Sequence, residues 1–494
     1  MKSVRTQQSI SMELLAALLM LAIFLCPLPS KSADVSFSRE IAPILLRKCT
    51  GCHGERANQG GYRAHTYRGL LKSGASGLPT VVAGRPDSSR LYQLIAAKAE
   101  QIRMPKSDDA LPVAQIELIR KWIAEGAKFD GPDAGASLKS LLGPRVHPAA
   151  PAAYRTGVPI MSLALFPGGE RVAVGGYNEI TIWNASTGAL VRRIPNLPQR
   201  IQALSFSKDG HTLLVAGGTP GEYGEISIVD VDRGVRARVL ETWNDICLAA
   251  VFSVDGKRIA AGGADNTVRV YDTESGKRIW TSGVHSDWVT GVSFSGDGQF
   301  VASAGRDMTV KINDAATGEL FTTYSGHNRQ IGQFAEHAPV YAVRFSPDGQ
   351  DAYSAGAGKW VQKWDPIEAK AESGDAGDME ERFSKKSHAQ HIAHGFQHEV
   401  FALVVRGGQL FAASADGVVK QFDLASLKEV RAYKADPEWL FSLDFDPASG
   451  RIAAGSYSGQ VTVWDTKSGQ QIAGFRARPA GQGVTKVVSR TGTR

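Results

Sequence analysis

The segments VRFSPDG (343–349) and AAGSYSGQVTVWD (453–465) decide the fold of the larger part of the chain, because similar segments recur throughout it. Each unit begins with an alternating strand that ends near Phe and turns at Gly. A strand of small residues follows, and then a strand that ends in an aromatic residue and Asp or Asn. The turn segments are LALFPGG (163–169), LSFSKDG (204–210), AVFSVDG (250–256), VSFSGDG (292–298), VRFSPDG (343–349), LVVRGG (403–408) and LDFDPASG (443–450). Seven units of four short strands, at a period of about 40 residues, predict an all-β propeller of seven blades.

The later part of several units carries an aromatic residue followed by an acid. These pairs are Tyr271–Asp272, Trp364–Asp365, Phe422–Asp423 and Trp464–Asp465. With them, residues 158–480 resemble the WD-repeat family, which implies a module that docks a partner protein. The resemblance also implies that His285 and Asp307 belong to a structural hydrogen-bond network. The second unit has Val229–Asp230 and the fourth has Asn313–Asp314, so these blades should keep their strands but lose the Trp packing.

The composition fits a folded chain with many turns. Of the 494 residues, 43% are hydrophobic and 21% are charged, which favours folded cores over disorder. The 53 glycines suit an all-β protein, and four cysteines in so long a chain exclude a disulfide scaffold. Cys247 lies in a predicted first strand over Ile246–Phe252 and is expected to be a buried, inert thiol.

Residues 1–33 are predicted to be a signal peptide. A basic start precedes an uncharged apolar run of 12 residues, Leu14–Leu25, which is short for a membrane span but suits a signal sequence. Small residues favour cleavage after Ser32, with Ala33 as the other position. An uncleaved signal anchor and lipidation at Cys26 are the open alternatives. We therefore expect a periplasmic or otherwise exported protein without an integral membrane segment after cleavage.

Residues 49–53 read Cys-Thr-Gly-Cys-His, the C-x-x-C-H sequence of c-type haem attachment. Two thiols two residues apart can add to the two vinyl groups of one haem, and the adjacent imidazole of His53 then faces the iron. Cys49 and Cys52 are thus predicted to hold one covalent haem c per chain, with His53 as the proximal iron ligand. A zinc half-site, a disulfide or a chance match is the alternative, although no second C-x-x-C is present to complete a zinc site.

Apolar residues at helical spacing lie on both sides of this sequence, and they predict two amphipathic helices. They are Phe37, Ile41, Ile44 and Leu45 before it, and Ile116, Ile119, Trp122 and Ile123 after it. Together with Gly60-Gly61-Tyr62-Arg63, Val81-Val82-Ala83-Gly84 and Met104-Pro105, residues 37–128 resemble the planctomycete-type cytochrome c domain. The resemblance implies that Met104 is the sixth iron ligand. His65 stands where the family often has Asp; a surface loop residue is the favoured interpretation, and an alternative axial ligand is the other.

The sequence therefore predicts a multidomain chain, with a small all-α c-type cytochrome domain before the all-β seven-bladed propeller. The domain spans residues 34–131, a Pro- and Ala-rich linker spans 132–157, the propeller spans 158–480, and a flexible tail spans 481–494. Residues 34–133 carry 15 Lys and Arg against 11 Asp and Glu, whereas residues 134–494 carry 38 against 37. This balance favours a redox partner with an acidic docking face and disfavours nucleic acid.

One His-rich insertion interrupts the repeats between the fifth and sixth units. It contains His388, His391, His394 and His398, of which the first three have helical spacing. A metal site is one interpretation and a solvated loop is the favoured one, because no supporting carboxylate is identifiable.

The sequence favours an electron-transfer protein over an enzyme. In this interpretation an exported cytochrome cycles one electron through its haem, and the propeller docks a protein partner. The alternative is a periplasmic haem-dependent oxidoreductase with a second active site in the propeller, and a structural or sensory haem is a third possibility. The haem-to-protein ratio distinguishes the first two.

Overall fold

The computed structural model describes residues 34–54, 58–106, 109–142, 145–327, 329–331, 334–336, 338–367, 390–391 and 395–479. The predicted signal peptide and the predicted tail lie outside these residues. The chain divides into two compact units, residues 1–145 and 146–494. Within the described residues, none of the helices has both the length and the apolar character that crossing a membrane requires.

The described part of the first unit is built from helices. A π-helical turn, Phe37–Ile41, continues directly into a helix, and the longest helix follows near the end of the unit. The helices are α1 Ala42–Lys48, α2 Tyr67–Leu70, α3 Arg90–Ile95, α4 Val113–Ala124 and α5 Leu138–Leu141, with short 3₁₀ turns at Gln59–Gly61 and Pro86–Ser88. The two predicted amphipathic helices are therefore confirmed, and the described residues of this unit pair only through isolated bridges.

Aromatic packing holds the helices of the first unit together. The ring of Phe37 lies 4.9 Å from that of Tyr67 and 5.3 Å from that of Trp122. Ser36 caps the helical start by accepting a hydrogen bond from Arg39 N at 3.1 Å. Leu138, within the segment predicted to be a linker, is fully buried in the same core.

The second unit is a seven-bladed propeller, as predicted. Seven four-stranded antiparallel sheets each use four consecutive strands. The strands of the first four blades are β1 Leu163–Leu165, β2 Arg171–Gly175, β3 Glu179–Asn184, β4 Leu190–Pro195, β5 Arg200–Phe206, β6 Thr212–Thr219, β7 Tyr223–Asp230, β8 Val235–Trp243, β9 Cys247–Phe252, β10 Arg258–Gly263, β11 Val268–Asp272, β12 Arg278–Ser282, β13 Val289–Phe294, β14 Phe300–Gly305, β15 Val310–Asp314 and β16 Leu320–Tyr324. A hairpin, β17 Arg329–Ile331 with β18 Phe334–Glu336, precedes the fifth blade. The remaining strands are β19 Val340–Phe345, β20 Ala352–Gly356, β21 Val361–Trp364, β22 Gln390–His391, β23 Val400–Arg406, β24 Gln409–Ser414, β25 Val418–Asp423, β26 Glu429–Lys434, β27 Leu440–Asp446, β28 Arg451–Ser456, β29 Gln460–Asp465 and β30 Gln471–Arg476.

The repeated Ser-x-Asp-Gly segments form the turn between the first and second strands of several blades. In the third blade, Ser253 Oγ donates to Asp255 Oδ1 at 2.6 Å, and the same carboxylate oxygen accepts from Lys257 N at 3.0 Å. Gly256 adopts φ +72°, a left-handed conformation that favours glycine. The repeat therefore encodes its own turn through local hydrogen bonds.

The second and fourth blades keep their strands without the Trp, as predicted. Val229 in β7 and Asn313 in β15 hold the positions that Trp364 and Trp464 hold in other blades, and all four side chains are buried. The Nδ2 of Asn313 donates to Gly318 O at 2.9 Å, whereas its Oδ1 is buried without a hydrogen-bond partner among the described residues.

The first and last blades are joined by individual hydrogen bonds, including Ile160 N to Ser456 O at 3.0 Å, and by a shared apolar core. Since each sheet uses four consecutive strands, no described strand of the first blade joins the sheet of the last. Instead, Leu165 N donates to Asp444 Oδ2 at 2.8 Å, and Arg451 Nη1 donates to Gly169 O at 2.8 Å. Ser442 Oγ adds a hydrogen bond to Ile160 O at 2.8 Å.

Residues 146–157, which we call the strap, are held on the first two blades at buried carboxylates. His147 Nε2 lies 3.0 Å from Glu225 Oε2, and both side chains are fully buried. Tyr154 OH donates to Glu179 Oε1 at 2.7 Å, and Arg193 Nε binds the other oxygen of Glu179 at 2.6 Å. The predicted linker is thus divided, because its first part packs in the first unit and its second part on the propeller.

Candidate functional site

The C-x-x-C-H turn begins where α1 ends. Cys49 N donates to Leu45 O at 2.9 Å and closes the last turn of the helix. His53 N then donates to Cys49 O at 2.9 Å, and Cys52 N donates to the same oxygen at 3.3 Å. This backbone turn brings together the three side chains that the sequence predicted to act together, with Cys52 exposed and Cys49 and His53 half-buried.

The segment after the turn folds back against it. His53 O accepts from Ala64 N at 2.7 Å, and Cys52 O accepts from Gln59 N at 3.1 Å. The ring of Tyr62 stands edge-on to the imidazole of His53, with 5.2 Å between ring centroids. Tyr62 is fixed at its other end, where its hydroxyl donates to Leu70 O at 3.0 Å. The imidazole is therefore flanked by a side chain that cannot rotate freely.

The environment keeps both Cys49 and Tyr62 protonated near neutral pH. Burial, and to a smaller extent the charge of Cys52, raise the pKa of the Cys49 thiol to about 11. Burial and the charge of Cys49 raise the pKa of Tyr62, against the opposing hydrogen bond with Thr80. The two cysteines are close enough to influence each other electrostatically, and neither forms a disulfide.

His53 has a ring nitrogen without a protein partner. Its Nδ1 is buried and forms no hydrogen bond within the described residues. A buried, unpaired imidazole nitrogen is costly unless a ligand or metal engages the ring or its surroundings. Two thiols and a half-buried imidazole on one turn form a donor set that suits covalent haem attachment.

Met104 comes from a different part of the same unit. It lies after α3, where Met104 N donates to Leu94 O at 3.0 Å and Arg103 N donates to Ala99 O at 3.0 Å. Its side chain is half-buried. The loop that carries Met104 is therefore fixed to α3, separately from the C-x-x-C-H turn.

The alternative axial residue, His65, lies between the folded-back segment and α2. His65 is half-buried, and its backbone oxygen accepts from Leu138 N at 2.7 Å. Its Nδ1 is buried and has no hydrogen-bond partner among the described residues. Both imidazoles of this region thus have an unpaired ring nitrogen.

The zinc interpretation finds no support in the described part of the chain. No group of three or more His, Cys, Asp and Glu side chains converges there as a metal site requires. In the His-rich insertion, His398 is exposed, and His391 lies in β22. His388 and His394 lie outside the described residues.

Two predictions about structural residues of the propeller are confirmed. Cys247 is fully buried, and its thiol donates to Gly262 O at 3.5 Å. His285 Nδ1 lies 2.9 Å from Asp307 Oδ2, and His285 Nε2 lies 2.8 Å from Ser303 Oγ. Burial raises the pKa of Asp307, but hydrogen bonding to His285 and its charge outweigh burial and set the pKa to about 2.

An exposed aromatic cluster on the propeller was not predicted. Phe401 lies 5.1 Å from Phe441 and 6.1 Å from Trp439 between ring centroids, and Tyr341 and Tyr457 extend the cluster on either side. Trp439 is 52% exposed and Tyr457 57%. The signal in the sequence is an aromatic residue at the second position of three first strands, β19, β23 and β27.

A helical unit with a C-x-x-C-H turn, followed by a seven-bladed propeller, defines a two-part protein. Residues 49–108 match the family model described as planctomycete cytochrome C. The model described as WD domain, G-beta repeat, matches 235–272, 276–314, 318–365 and 427–465. The chain therefore combines a planctomycete-type cytochrome c region with a WD-repeat propeller.

Individual relatives match short parts of this chain. It is 26% identical to Protein SPA1-RELATED 4 of Arabidopsis thaliana over 98 residues, which are 20% of this chain and 12% of that protein. It is 27% identical to Protein groucho of Drosophila melanogaster over 123 residues, 24% of this chain and 16% of that protein. Vegetative incompatibility protein HET-E-1 of Podospora anserina is 37% identical over 57 residues, 12% of this chain and 4% of that protein. The chain thus spans a small fraction of each relative.

Proposed function

We propose that this chain is an exported electron-transfer protein whose first unit is an all-α cytochrome c domain with one covalent haem c, and whose propeller docks a protein partner. The observation that carries the proposal is the C-x-x-C-H turn at the start of the region that matches the cytochrome family. The unpaired ring nitrogen of His53 and the adjacent thiols fit that cofactor.

The residues of the first unit have separate roles in this proposal. Cys49 and Cys52 would hold the haem covalently through their sulfur atoms, and His53 and Met104 would bind its iron. The haem supplies a one-electron couple between Fe(II) and Fe(III). A thioether ligand raises the reduction potential relative to a second imidazole, because soft sulfur favours the reduced metal. Tyr62 orients His53 through its edge-on contact.

The propeller supports docking through its aromatic cluster. Exposed Trp439 and Tyr457 form a contiguous aromatic surface with half-buried Tyr341, Phe401 and Phe441, and contiguous surfaces of this kind mark protein interfaces. Buried Trp and Tyr contribute most strongly to such interfaces. The partner we propose is the redox protein that exchanges electrons with the first unit and that presents an acidic face to it.

The attachment of haem is tested by replacing both thiols. Cys49→Ala with Cys52→Ala should abolish haem staining of the denatured chain, because both covalent bonds are lost. Cys247→Ala is the matched control, since this thiol is buried in the propeller, and it should stain as the wild type does. The wild type should contain one haem per chain. Covalent haem in the double variant contradicts the assignment, and two haems per chain favour an enzyme with a second active site.

The sixth ligand is tested by a pair of single variants. Met104→Ala should remove the near-infrared band of thioether-ligated ferric haem and lower the reduction potential. His65→Ala should leave both unchanged. The opposite pattern assigns the ligand to His65.

Docking is tested with a photoreactive side chain at position 439. It should crosslink one exported protein that also accepts electrons from the reduced chain. The same group at Val191, 52% exposed on β4 of the first blade, is the control. Equal crosslinking from both positions refutes the aromatic cluster as the docking surface.

A further inference from the structure

The first unit contains a cleft of about 300 Å³ beside the candidate haem site. Its lining side chains include Arg63, His65, Thr66, Arg68, Lys72 and Ser73, and no carboxylate of the described residues lines it. We call these six residues the basic cleft. Three cationic side chains and one imidazole around so small a volume give a strongly positive local potential.

Within the described residues, no ion pair neutralises the cations of the basic cleft. Arg63, Arg68 and Lys72 are exposed, and none of them forms an ion pair with another residue in the described ranges. Asp133, on the segment that leads to the cleft, uses Oδ1 to accept from Gly135 N at 2.8 Å. The cationic groups therefore keep their hydrogen-bond donors available for a ligand.

An imidazole, that of His65, also lines the basic cleft. His65 Nδ1 is shielded from solvent and has no hydrogen-bond partner among the described residues. The hydroxyls of Thr66 and Ser73 add neutral donors. This set matches a multivalent oxyanion, because guanidinium and ammonium groups bind phosphate and carboxylate oxygens strongly.

The basic cleft is connected to the C-x-x-C-H turn by a short path. Tyr62, which also lines the cleft, contacts the imidazole of His53 edge-on, with 5.2 Å between the two ring centroids. Ala64 N, between Arg63 and His65, donates to His53 O at 2.7 Å. Negative charge in the cleft would stabilise the more positive, oxidised iron at His53, and would thus lower its reduction potential.

We propose that the basic cleft binds a multivalent phosphate or carboxylate anion, and that the bound anion lowers the reduction potential of the first unit. The proposal that the cleft binds an anion depends only on the residues that line it. The effect on the potential rests on the proposed function, because it requires a haem at His53. The expected ligand is a free small anion, and the haem carboxylates are the other source of the same chemistry.

The binding step is tested by calorimetric titration of the full haem-loaded chain with inorganic phosphate and with citrate, at constant ionic strength. Arg68→Ser with Lys72→Ser should weaken binding by about tenfold or more, because two charge-assisted contacts are lost. Arg47→Ser with Lys98→Ser removes the same charge from exposed positions outside the cleft and should bind as the wild type does. Thermal unfolding of both variants checks that they are folded.

Each outcome decides a part of the proposal. Saturable binding of one anion per chain, weakened only in the cleft variant, supports it. Absence of saturable binding, or equal weakening in both variants, overturns it. Binding to the chain with Cys49→Ala and Cys52→Ala, but not to the haem-loaded chain, assigns the cleft to the haem carboxylates and overturns the free anion. Binding with an unchanged potential overturns the coupling alone.

Discussion

The buried contact between Glu225 and His147, which holds the strap on the second blade, gives a sharp prediction for the change Glu225→Gln. The Glu225 side chain is fully buried and accepts from Arg236 Nη1 at 2.9 Å and from Ser227 Oγ at 2.5 Å. Its other oxygen pairs with His147 at 3.0 Å. The Arg236 side chain is 6% exposed, so this ion pair is buried on both sides.

The size of the expected loss in the free energy of unfolding follows from the burial of this pair. Glutamine keeps the volume of the side chain but removes the negative charge from the buried pair with Arg236. Breaking one partner of a buried pair costs about 3–5 kcal/mol, far more than breaking an exposed pair. Glu429→Gln is the matched control, because Glu429 is 41% exposed and pairs with Lys420 at 2.8 Å. This control variant should lower the free energy of unfolding by about 0–1 kcal/mol.

Two measurements test this prediction. Urea unfolding followed by tryptophan fluorescence reports on the propeller, which holds eight of the nine tryptophans. Limited trypsin digestion reports on the strap, because its exposed Arg155 should become a faster cleavage site when the pairing is lost. If Glu225→Gln matches Glu429→Gln in both measurements, the strap is not held by this carboxylate and the argument from burial is refuted.

The Glu225 carboxylate also makes the attachment of the strap sensitive to acid. Burial raises the pKa of Glu225, but hydrogen bonding to His147 and Ser227 outweighs burial, so the pKa lies below its ordinary value. A carboxyl with a lowered folded-state pKa stabilises the fold fully above its unfolded-state pKa, and the contribution is lost as the pH falls. The free energy of unfolding should therefore decline less steeply in acid for Glu225→Gln than for the wild type.

Three further predictions concern other parts of the chain. Asp307→Asn should reduce the loss of propeller stability between pH 3.8 and about pH 2, measured by urea unfolding across that interval, because the folded pKa of Asp307 is about 2. Leu138→Ala should destabilise the first unit by about 2–5 kcal/mol in a thermal melt, whereas Leu71→Ala, 40% exposed, should have little effect. Fragments 34–145 and 146–494 should each give a cooperative thermal transition, and a fragment ending at residue 131 should melt lower because it lacks Leu138.

The propeller was predictable because its determinants are local. Ser253, Asp255 and Gly256 form their turn within four residues, and the same arrangement recurs at Ser295 and Asp297. The C-x-x-C-H turn was predictable for the same reason, since its residues are consecutive. The hydrogen bond between His285 and Asp307 was found only through the resemblance to a known family, because 22 residues separate the two.

The remaining features depend on contacts between distant residues. The basic cleft joins Arg63 and Lys72 to Gly135, and no local pattern relates these positions. The aromatic cluster becomes visible only when three blades are placed side by side. The strap was interpreted as a linker from its Pro and Ala content, but His147 meets Glu225 78 residues away. The Pro and Ala content indicates a segment without helix or strand, but it does not reveal that the side chains of His147 and Tyr154 fix this segment to the propeller.

The strap and the closure of the ring bear on the same region of the propeller. The first and last blades meet through individual side-chain contacts, such as Arg451 to Gly169. The strap adds two contacts through Tyr154. The Tyr154 hydroxyl donates to Glu179 of the first blade, and the Tyr154 backbone N–H donates to Pro479 O, beyond the last strand, at 3.4 Å. A ring closed by strand exchange opens only when a whole ladder of hydrogen bonds breaks. Here the hydrogen bonds act together with an apolar core in which Leu165 and Trp183 of the first blade pack with Val461 and Val463 of the last. Substitutions that truncate this core, and not the change at Glu225, should therefore weaken the closure.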